Sequence, residues 1–294
     1  LKPLFDCYLA VDWSAANRPA RGKDSIWLAT RWSDGMTAGR NVRNIPTRRE
    51  AEGVILDLLK QGLAQGRRIL CGFDFAFGYP EGLAENLTGE ADWQAVWKMI
   101  GEEIEDDPDN RSNRFDVGGR LNRKLGHDVF WGHPQTHHGR YDGLGPTKPA
   151  PPSFCQERRH ADRMTKGAQS PFKLAYAGSV GSQSLLGIPV IMRLRKKLGR
   201  AFSVWPFETE FAEKLPAGPS VVVAEIYPTL YLRKADKASV KDRQQVLAVV
   251  DQQARLDREG RLIEHLSPPP SASDEERAAM LREEGSIMGI GALS

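Results

Sequence analysis

Three apolar, strand-like runs in this chain end in, or just before, a carboxylate: Tyr8-Leu-Ala-Val-Asp12, Arg68-Ile-Leu-Cys-Gly-Phe-Asp74 and Ser220-Val-Val-Val-Ala-Glu225. Each acid alone has an ordinary role, because a short acid at a strand end caps the next turn. Three together suggest more. Carboxylates are seldom buried unless they are paired or bound to metal. In parallel α/β sheets the functional crevice lies outside the carboxyl ends of the strands, and acids converging there repel one another unless a cation neutralises them. An all-oxygen ligand set selects Mg²⁺ or Mn²⁺ over zinc. Asp12, Asp74 and Glu225 are therefore the expected metal ligands and catalytic groups. Two such ions about 3.5–4 Å apart stabilise the attacking and leaving oxygens of phosphoryl transfer. A fourth acid is expected from the late helical segment, as Asp242 or Asp251; Asp242 is preferred because its helix begins soon after the Glu225 strand.

Candidate substrate contacts lie elsewhere in the chain. Gly178-Ser179-Val-Gly181-Ser182, followed by Gly187, can form a backbone nest that grips an anion at a helix amino terminus, with Gln183 adding a side-chain donor. It has neither the G-x-G-x-x-G spacing nor the lysine of a P-loop, and glycines at a helix entry also serve close packing. Asn110, Arg111, Asn113, Arg114, Phe115, Asn122 and Arg123 form a polar cluster suited to phosphate or base contacts, although capping and solvation are the commoner roles. The predicted substrate-binding set is Asn110, Arg114, Gly178, Ser179, Gly181 and Gln183. Trp13 and Trp131 could stack on a planar ligand or simply pack in the core. His133, His137 and His138 sit in a Gly/Pro-rich loop without the helix or companion Glu of a zinc site.

The elements that must position these groups are readable from periodicity. The runs at 8–12 and 25–30, joined by a turn-rich segment, predict an antiparallel pair, with a third strand near Asn41–Ile45 after an Asp34-Gly35 turn. Thr47 and Glu50 form a capping box ahead of Ala51, Val54, Ile55, Leu58, Leu59 and Leu63 at helical spacing, and Gly66 stops that helix. The strand ending at Asp74 follows, which predicts an α/β fold with a mixed sheet and helices packed on it. Residues 81–175 are rich in Pro, Gly, Asn and Trp, with a helix expected over Trp93–Glu105. They read as an insertion that covers one end of the sheet as a lid or subdomain. Ser179 or Ser182 is expected to cap a helix through Leu194, with Pro189 near its start or kinking it. Phe202-Ser-Val-Trp-Pro reads as a short edge strand, the Glu225 run as a strand, Lys241–Leu256 as a helix and Asp274–Glu284 as a final helix.

Composition narrows the class. The 294 residues are 40% hydrophobic and 27% charged, an ordinary globular balance consistent with one domain. A net charge of +3 from 41 basic and 38 acidic residues does not by itself imply nucleic acid. The dense run Arg193, Arg195, Lys196, Lys197 and Arg200 suits a helix carboxyl end as well as a phosphate backbone. No apolar run is long enough to cross a bilayer, and Leu1–Phe5 lacks a charged-then-apolar export pattern, so a cytoplasmic location is expected. Cys7, Cys71 and Cys155 are too few and too irregularly spaced for a disulfide framework or zinc knuckle.

Four motifs taken in order, Tyr8-Leu-Ala-Val-Asp-Trp-Ser14, Gly72-Phe-Asp-Phe-Ala-Phe-Gly-Tyr-Pro80, Val223-Ala-Glu-Ile-Tyr-Pro228 and Glu284-Gly-Ser-Ile-Met-Gly289, resemble those of a bacterial family described as predicted ribonuclease H-like nucleases. The resemblance implies a five-stranded mixed sheet with Asp12, Asp74 and Glu225 clustered. It also implies a Mg²⁺- or Mn²⁺-dependent phosphodiester hydrolase acting on nucleic acid or a nucleotide. Sugar kinases and actin-like ATPases share that architecture. A nucleotide- or small-molecule-binding role, for example in molybdopterin or cobalamin metabolism, is therefore the alternative expectation.

Overall fold

The computed structural model describes residues 2–33, 39–137, 139–232 and 240–292. The Asp34-Gly35 turn and His138 lie outside the described residues. Six strands are present: β1 (Cys7–Asp12), β2 (Ile26–Trp32), β3 (Arg40–Ile45), β4 (Arg68–Phe73), β5 (Phe202–Val204) and β6 (Ser220–Glu225). They form one mixed sheet in the order β3-β2-β1-β4-β6-β5. Strand β2 is antiparallel to both of its neighbours, β1 and β3, whereas β1, β4, β6 and β5 run parallel. The sheet therefore has one strand more than the five implied by the family resemblance. Strand β5 lies at the edge, where the proline after Val204-Trp205 is tolerated.

Side-chain alternation in the central strands explains why they read as continuous apolar runs: both faces are covered. Cys7, Leu9 and Val11 of β1, Ile69, Cys71 and Phe73 of β4, and Val221 and Val223 of β6 enter one core. Tyr8, Ala10, Leu70, Val222 and Ala224 enter the other. Helix α1 (Arg48–Ala64) covers the first face with Ala51, Ile55 and Leu59. It starts at Thr47, whose hydroxyl accepts from the Glu50 amide at 3.1 Å, and closes at Gly66 with φ +72°. The second face is covered by α7 (Lys241–Arg258), through Val246, Val249 and Val250.

The stretch from 81 to 175 carries secondary structure of its own: α2 (Leu83–Thr88), α3 (Trp93–Glu103), α4 (Arg114–Leu125) and α5 (His160–Met164). Its Trp97, Ile100, Leu121, Phe130 and Phe172 join the core on the α1 face. Helix α6 (Gly181–Leu198) follows. Neither Ser179 nor Ser182 caps it: the cap position is Val180, without a side-chain bond. Ser182 is instead buried inside the first turn and donates to the Leu174 carbonyl at 2.6 Å. Pro189 sits within the helix rather than at its start. After α8 (Leu262–Leu266), the expected final helix is split into α9 (Asp274–Ala279) and a π-helical turn over Met280–Glu284. The wider turn sets the neighbouring Glu283 and Glu284 both inward, where they accept amides of Gly82, Ala84 and Glu81. Among the described residues no helix is long and apolar enough to cross a membrane.

Helix α6 packs so closely on the segment after β4 that a Cβ on Gly187 would lie 2.2 Å from the Phe75 ring. Phe75 cannot yield, since it is locked among Trp13, Phe73 and Phe77. Gly187→Ala should therefore destabilise the protein by about 1–3 kcal/mol in urea unfolding. Helix propensity alone would give the opposite sign, about 1 kcal/mol of stabilisation.

Candidate functional site

A cleft of about 500 Å³ opens at the carboxyl ends of β1, β4 and β6. Asp12, Asp74, Glu225, Asp242, Gly178, Ser179 and Gln183 all line it, so most of the expected site residues share one cavity. Asp12 and Asp74 stand side by side because β1 and β4 are parallel neighbours in the register Val11↔Phe73. The Trp13 amide donates to Asp74 Oδ1 at 2.6 Å, and the Asp74 amide donates to the Val11 carbonyl at 3.2 Å. Gln183 Nε2, from the first turn of α6, donates to the Trp13 carbonyl at 2.5 Å and fixes the loop that follows Asp12. Asp242 lies in the first turn of α7, on the same side of the sheet, and its Oδ2 accepts from the Asp24 amide at 3.1 Å. Asp251 is directed elsewhere. It pairs with Arg31 and, at 2.7 Å, with Arg40 on the outer strands.

Glu225 belongs to the other sheet face. Its register partner is Phe73, not Asp74, so its side chain is directed away from the aspartate pair. There it meets Arg159, which is 1% exposed. The guanidinium donates to both Glu225 oxygens at 2.6 and 2.7 Å, to both Asp162 oxygens at 2.7 and 3.0 Å, and to the Glu284 carbonyl at 3.0 Å. The Phe77 amide adds a bond to Glu225 Oε2 at 3.1 Å. Burial alone would lower the Arg159 pKa, but the two carboxylates hold it well above its usual value. Each Glu225 oxygen is thus already occupied by a cation.

The remaining expected residues take structural positions. The Asn110 side chain accepts from the Arg48 amide at 2.8 Å and donates to the Arg18 and Pro46 carbonyls. Arg48 in turn holds Asp106 and the Ser14 and Ala16 carbonyls, which ties the wall of the cleft to α1. Arg114 donates to Ser182, Asn17 and Ser112, and its pKa is lowered to about 10, first by burial and then by Arg48. Neither Asn110 nor Arg114 is among the cleft-lining residues. The Gly181 amide donates to the Lys173 carbonyl, and the Ser179 amide to the Tyr176 carbonyl, so these two nest donors are used internally. Trp13 is buried in the core, and Trp131 lies under Lys173 in the insertion. His133 Nδ1 faces the Pro134 carbonyl, and His137 Nδ1 faces the Tyr141 hydroxyl.

Sequence reasoning passed over Asp24, Arg159, Asp162 and Tyr176, all of which line the cleft. Asp24 follows Lys23 in a polar loop, and Arg159 sits in an Arg-Arg-His run, so both read as solvated surface.

The charge balance of the cleft is lopsided. Among the described residues its lining contains Asp12, Asp24, Asp74, Asp162, Glu225 and Asp242 against the single base Arg159. Asp162 and Glu225 already engage that base, and Asp24 lies 3.9 Å from Lys23, which leaves Asp12, Asp74 and Asp242 without a paired cation among the described residues. Burial, then the neighbouring Asp74, pushes Asp12 well above the usual carboxylate range. Burial raises Asp74 to about 6, against the bond from Asp12, which lowers it. Both directions favour a proton shared between the two carboxyls and held more firmly by Asp12. Among the described residues, no three His, Cys, Asp or Glu side chains already stand at metal-ligating spacing.

Compared with known proteins, the chain matches no family model, no curated protein and no solved structure.

The shared proton has a consequence for stability. A carboxyl whose folded pKa is raised contributes stability that is complete below its unfolded value, near 4, and lost as pH rises through its folded value. For Asp74 that loss runs from about pH 4 to beyond about 6. Asp12→Asn keeps a donor toward Asp74 without a second charge. In metal-free buffer the variant should gain on the order of 2 kcal/mol over wild type at pH 8, roughly 4 °C in Tm, with the difference closing near pH 4. Parallel Tm–pH curves for the two proteins would refute a shared proton.

Proposed function

We propose that the protein is a metal-dependent phosphodiester hydrolase of ribonuclease H-like architecture, with Asp12, Asp74 and Asp242 as the groups that hold Mg²⁺ or Mn²⁺. The observation that carries this reading is the cluster of Asp12, Asp74 and Asp242 in one cleft at the carboxyl ends of parallel strands, without a paired cation among the described residues. Support also comes from the four sequence motifs, which converge at this end of the sheet: the Met288 amide bonds the Glu225 carbonyl, and Gly78 abuts the carbonyls of Glu283 and Glu284.

The donor set fits a hard cation, because Mg²⁺ is commonly held by one or two carboxylates completed by substrate phosphates and water. Bound there, the ion would neutralise a phosphate and acidify a water molecule. The chain's own contributions are distinct. Asp12 would give up the shared proton to solvent and offer a ligand oxygen; Asp74, fixed by the Trp13 amide, would offer the second. Asp242, in the first turn of α7, would add a third carboxylate from the cleft lining. We assign Glu225 to the scaffold, since the Arg159 guanidinium spans both its oxygens.

The size and charge of the cleft favour a small substrate within this reading, a nucleotide or a chain end rather than a duplex. A volume of about 500 Å³ is that of a small-molecule pocket. The basic run expected to touch nucleic acid is largely taken up by ion pairs away from the cleft: Arg193 and Lys197 engage Glu52, and Arg195 engages Glu208.

A calorimetric titration with Mn²⁺ tests the assignment. Wild type should bind with release of a proton, so that affinity rises as pH passes about 6. Asp12→Asn and Asp242→Asn should lose binding and the Mn²⁺-dependent cleavage of bis(p-nitrophenyl) phosphate, while Asp251→Asn keeps both. Undiminished binding and cleavage in Asp12→Asn would remove the pair from the mechanism.

A further inference from the structure

Tyr176 stands out among the side chains that line the cleft. Among the described residues, only it and Ile263 are large apolar side chains more than a third exposed, and Tyr176 is 47% exposed. Its backbone is held at φ +73°, a left-handed conformation that aromatic residues rarely adopt. Such strain persists only where the surroundings over-determine it, and it concentrates at functional sites. Here the restraints are visible. The Tyr176 hydroxyl donates to the His133 carbonyl at 2.7 Å, and its own carbonyl accepts the Ser179 amide at 3.0 Å. His133 is itself 1% exposed, so the anchor is part of the insertion's packed interior. The aromatic clusters of the core close over Phe73, Phe75, Phe77, Tyr79, Phe130 and Phe172 without taking in this ring.

An exposed ring, tethered at its hydroxyl and fixed at its backbone, is a preorganised flat surface. Hydrophobic burial would ordinarily draw such a ring inward, and here the hydroxyl bond and the local backbone keep it at the mouth of a cleft. The same cleft contains the aspartates assigned above to a cation, and a cation held there would recruit phosphate. A ring platform and a phosphate locus within one nucleotide-sized cavity match a ligand that carries both a planar heterocycle and a phosphate.

We propose that Tyr176 stacks on the base of a nucleotide and makes the cleft a nucleotide-specific site rather than a general phosphoester site. This rests on the reading of the aspartates given above for the phosphate, but not for the ring. Aromatic stacking tolerates any base, because every base offers a π face. The ring therefore sets a preference for nucleotides over sugar phosphates, not for one base. The ring acts on substrate affinity and leaves the metal ligands untouched.

The experiment compares AMP with ribose 5-phosphate, in the presence of Mn²⁺, on wild type, Tyr176→Phe and Tyr176→Leu, by calorimetry. AMP should bind wild type about tenfold or more tightly than ribose 5-phosphate, within the range typical of one base–aromatic stack. Tyr176→Leu should bring AMP to the level of ribose 5-phosphate with Mn²⁺ affinity unchanged, and Tyr176→Phe should retain most of the preference. Where wild type binds Mn²⁺, equal affinities in wild type, no binding of either ligand, or a preference that survives in Tyr176→Leu would overturn the proposal. Failure of the metal reading gives a different signal, no Mn²⁺ binding by wild type. Adenosine, which needs no cation, then reports the ring alone: binding that Tyr176→Leu weakens at least fivefold supports the stack, and binding that is absent or unchanged by the substitution refutes it.

Discussion

A guanidinium removed from water must be surrounded by anions and acceptors, and the carboxyl end of this sheet is organised around that requirement at Arg159. Its five donor contacts reach Glu225 at the end of β6, Asp162 in α5 and the backbone of Glu284 in the π-helical turn. Three segments distant in sequence are thereby joined at one point. Loss of either carboxylate would leave a buried charge incompletely paired, a penalty of about 3–5 kcal/mol. The same network continues outward through His160, whose backbone and ring both meet Glu284. It sets the position of the chain's last segment, where Met288 bonds to the end of β6.

With Glu225 and Asp162 committed to Arg159, the rest of the cleft has an acidic surplus. This separates two kinds of carboxylate that look alike in the sequence. One kind is paired, buried and structural. The other is crowded, pushed toward its protonated form by burial and by its neighbours, and without a counter-ion among the described residues, which is the condition in which a cation or a reacting proton is most readily exchanged. The distinction arises from the sheet: Asp12 and Asp74 are on the α7 face with Asp242, and Glu225 is on the face that carries α1 and α6. The insertion supplies Arg159 to the cleft, and the segment that follows it, from Tyr176 into the first turn of α6, supplies the wall that includes Gln183.

Much of the architecture was legible in the linear pattern. The three-strand start, the Thr47 cap, the strand into Asp74, the short edge strand at Phe202 and the helix from Lys241 all follow from periodicity and turn chemistry, because these are local properties of the chain. The misread elements were decided by contacts made far away. A serine at 179 or 182 suits the cap of α6, but neither caps it, and the Ser182 hydroxyl is engaged by Leu174 and Arg114. The pattern over Asp274–Glu284 predicts one helix, yet its last turn widens where Glu283 and Glu284 meet the Gly78–Ala84 segment. Asn110 and Arg114 have the composition of a phosphate site and the geometry of internal clamps. Tyr176 left no signal, since one Tyr in a Gly- and Ala-rich loop is unremarkable until its exposure and backbone angle are known.

The sequence by itself determined that acids stand at the ends of three buried strands, because apolar runs closing in a carboxylate are a one-dimensional pattern. It also determined that helices pack on a mixed sheet, since strand-like and helical periodicities alternate along the chain. Only the tertiary structure decided which acids meet. In a strand, successive side chains alternate between faces, so a difference of one residue in register moves a group to the opposite side. Pairing Val11 with Phe73 brings Asp12 beside Asp74, whereas pairing Phe73 with Glu225 sends that acid across the sheet to Arg159. Register is fixed by long-range hydrogen bonding and packing between strands far apart in sequence, and no property of any one strand contains it.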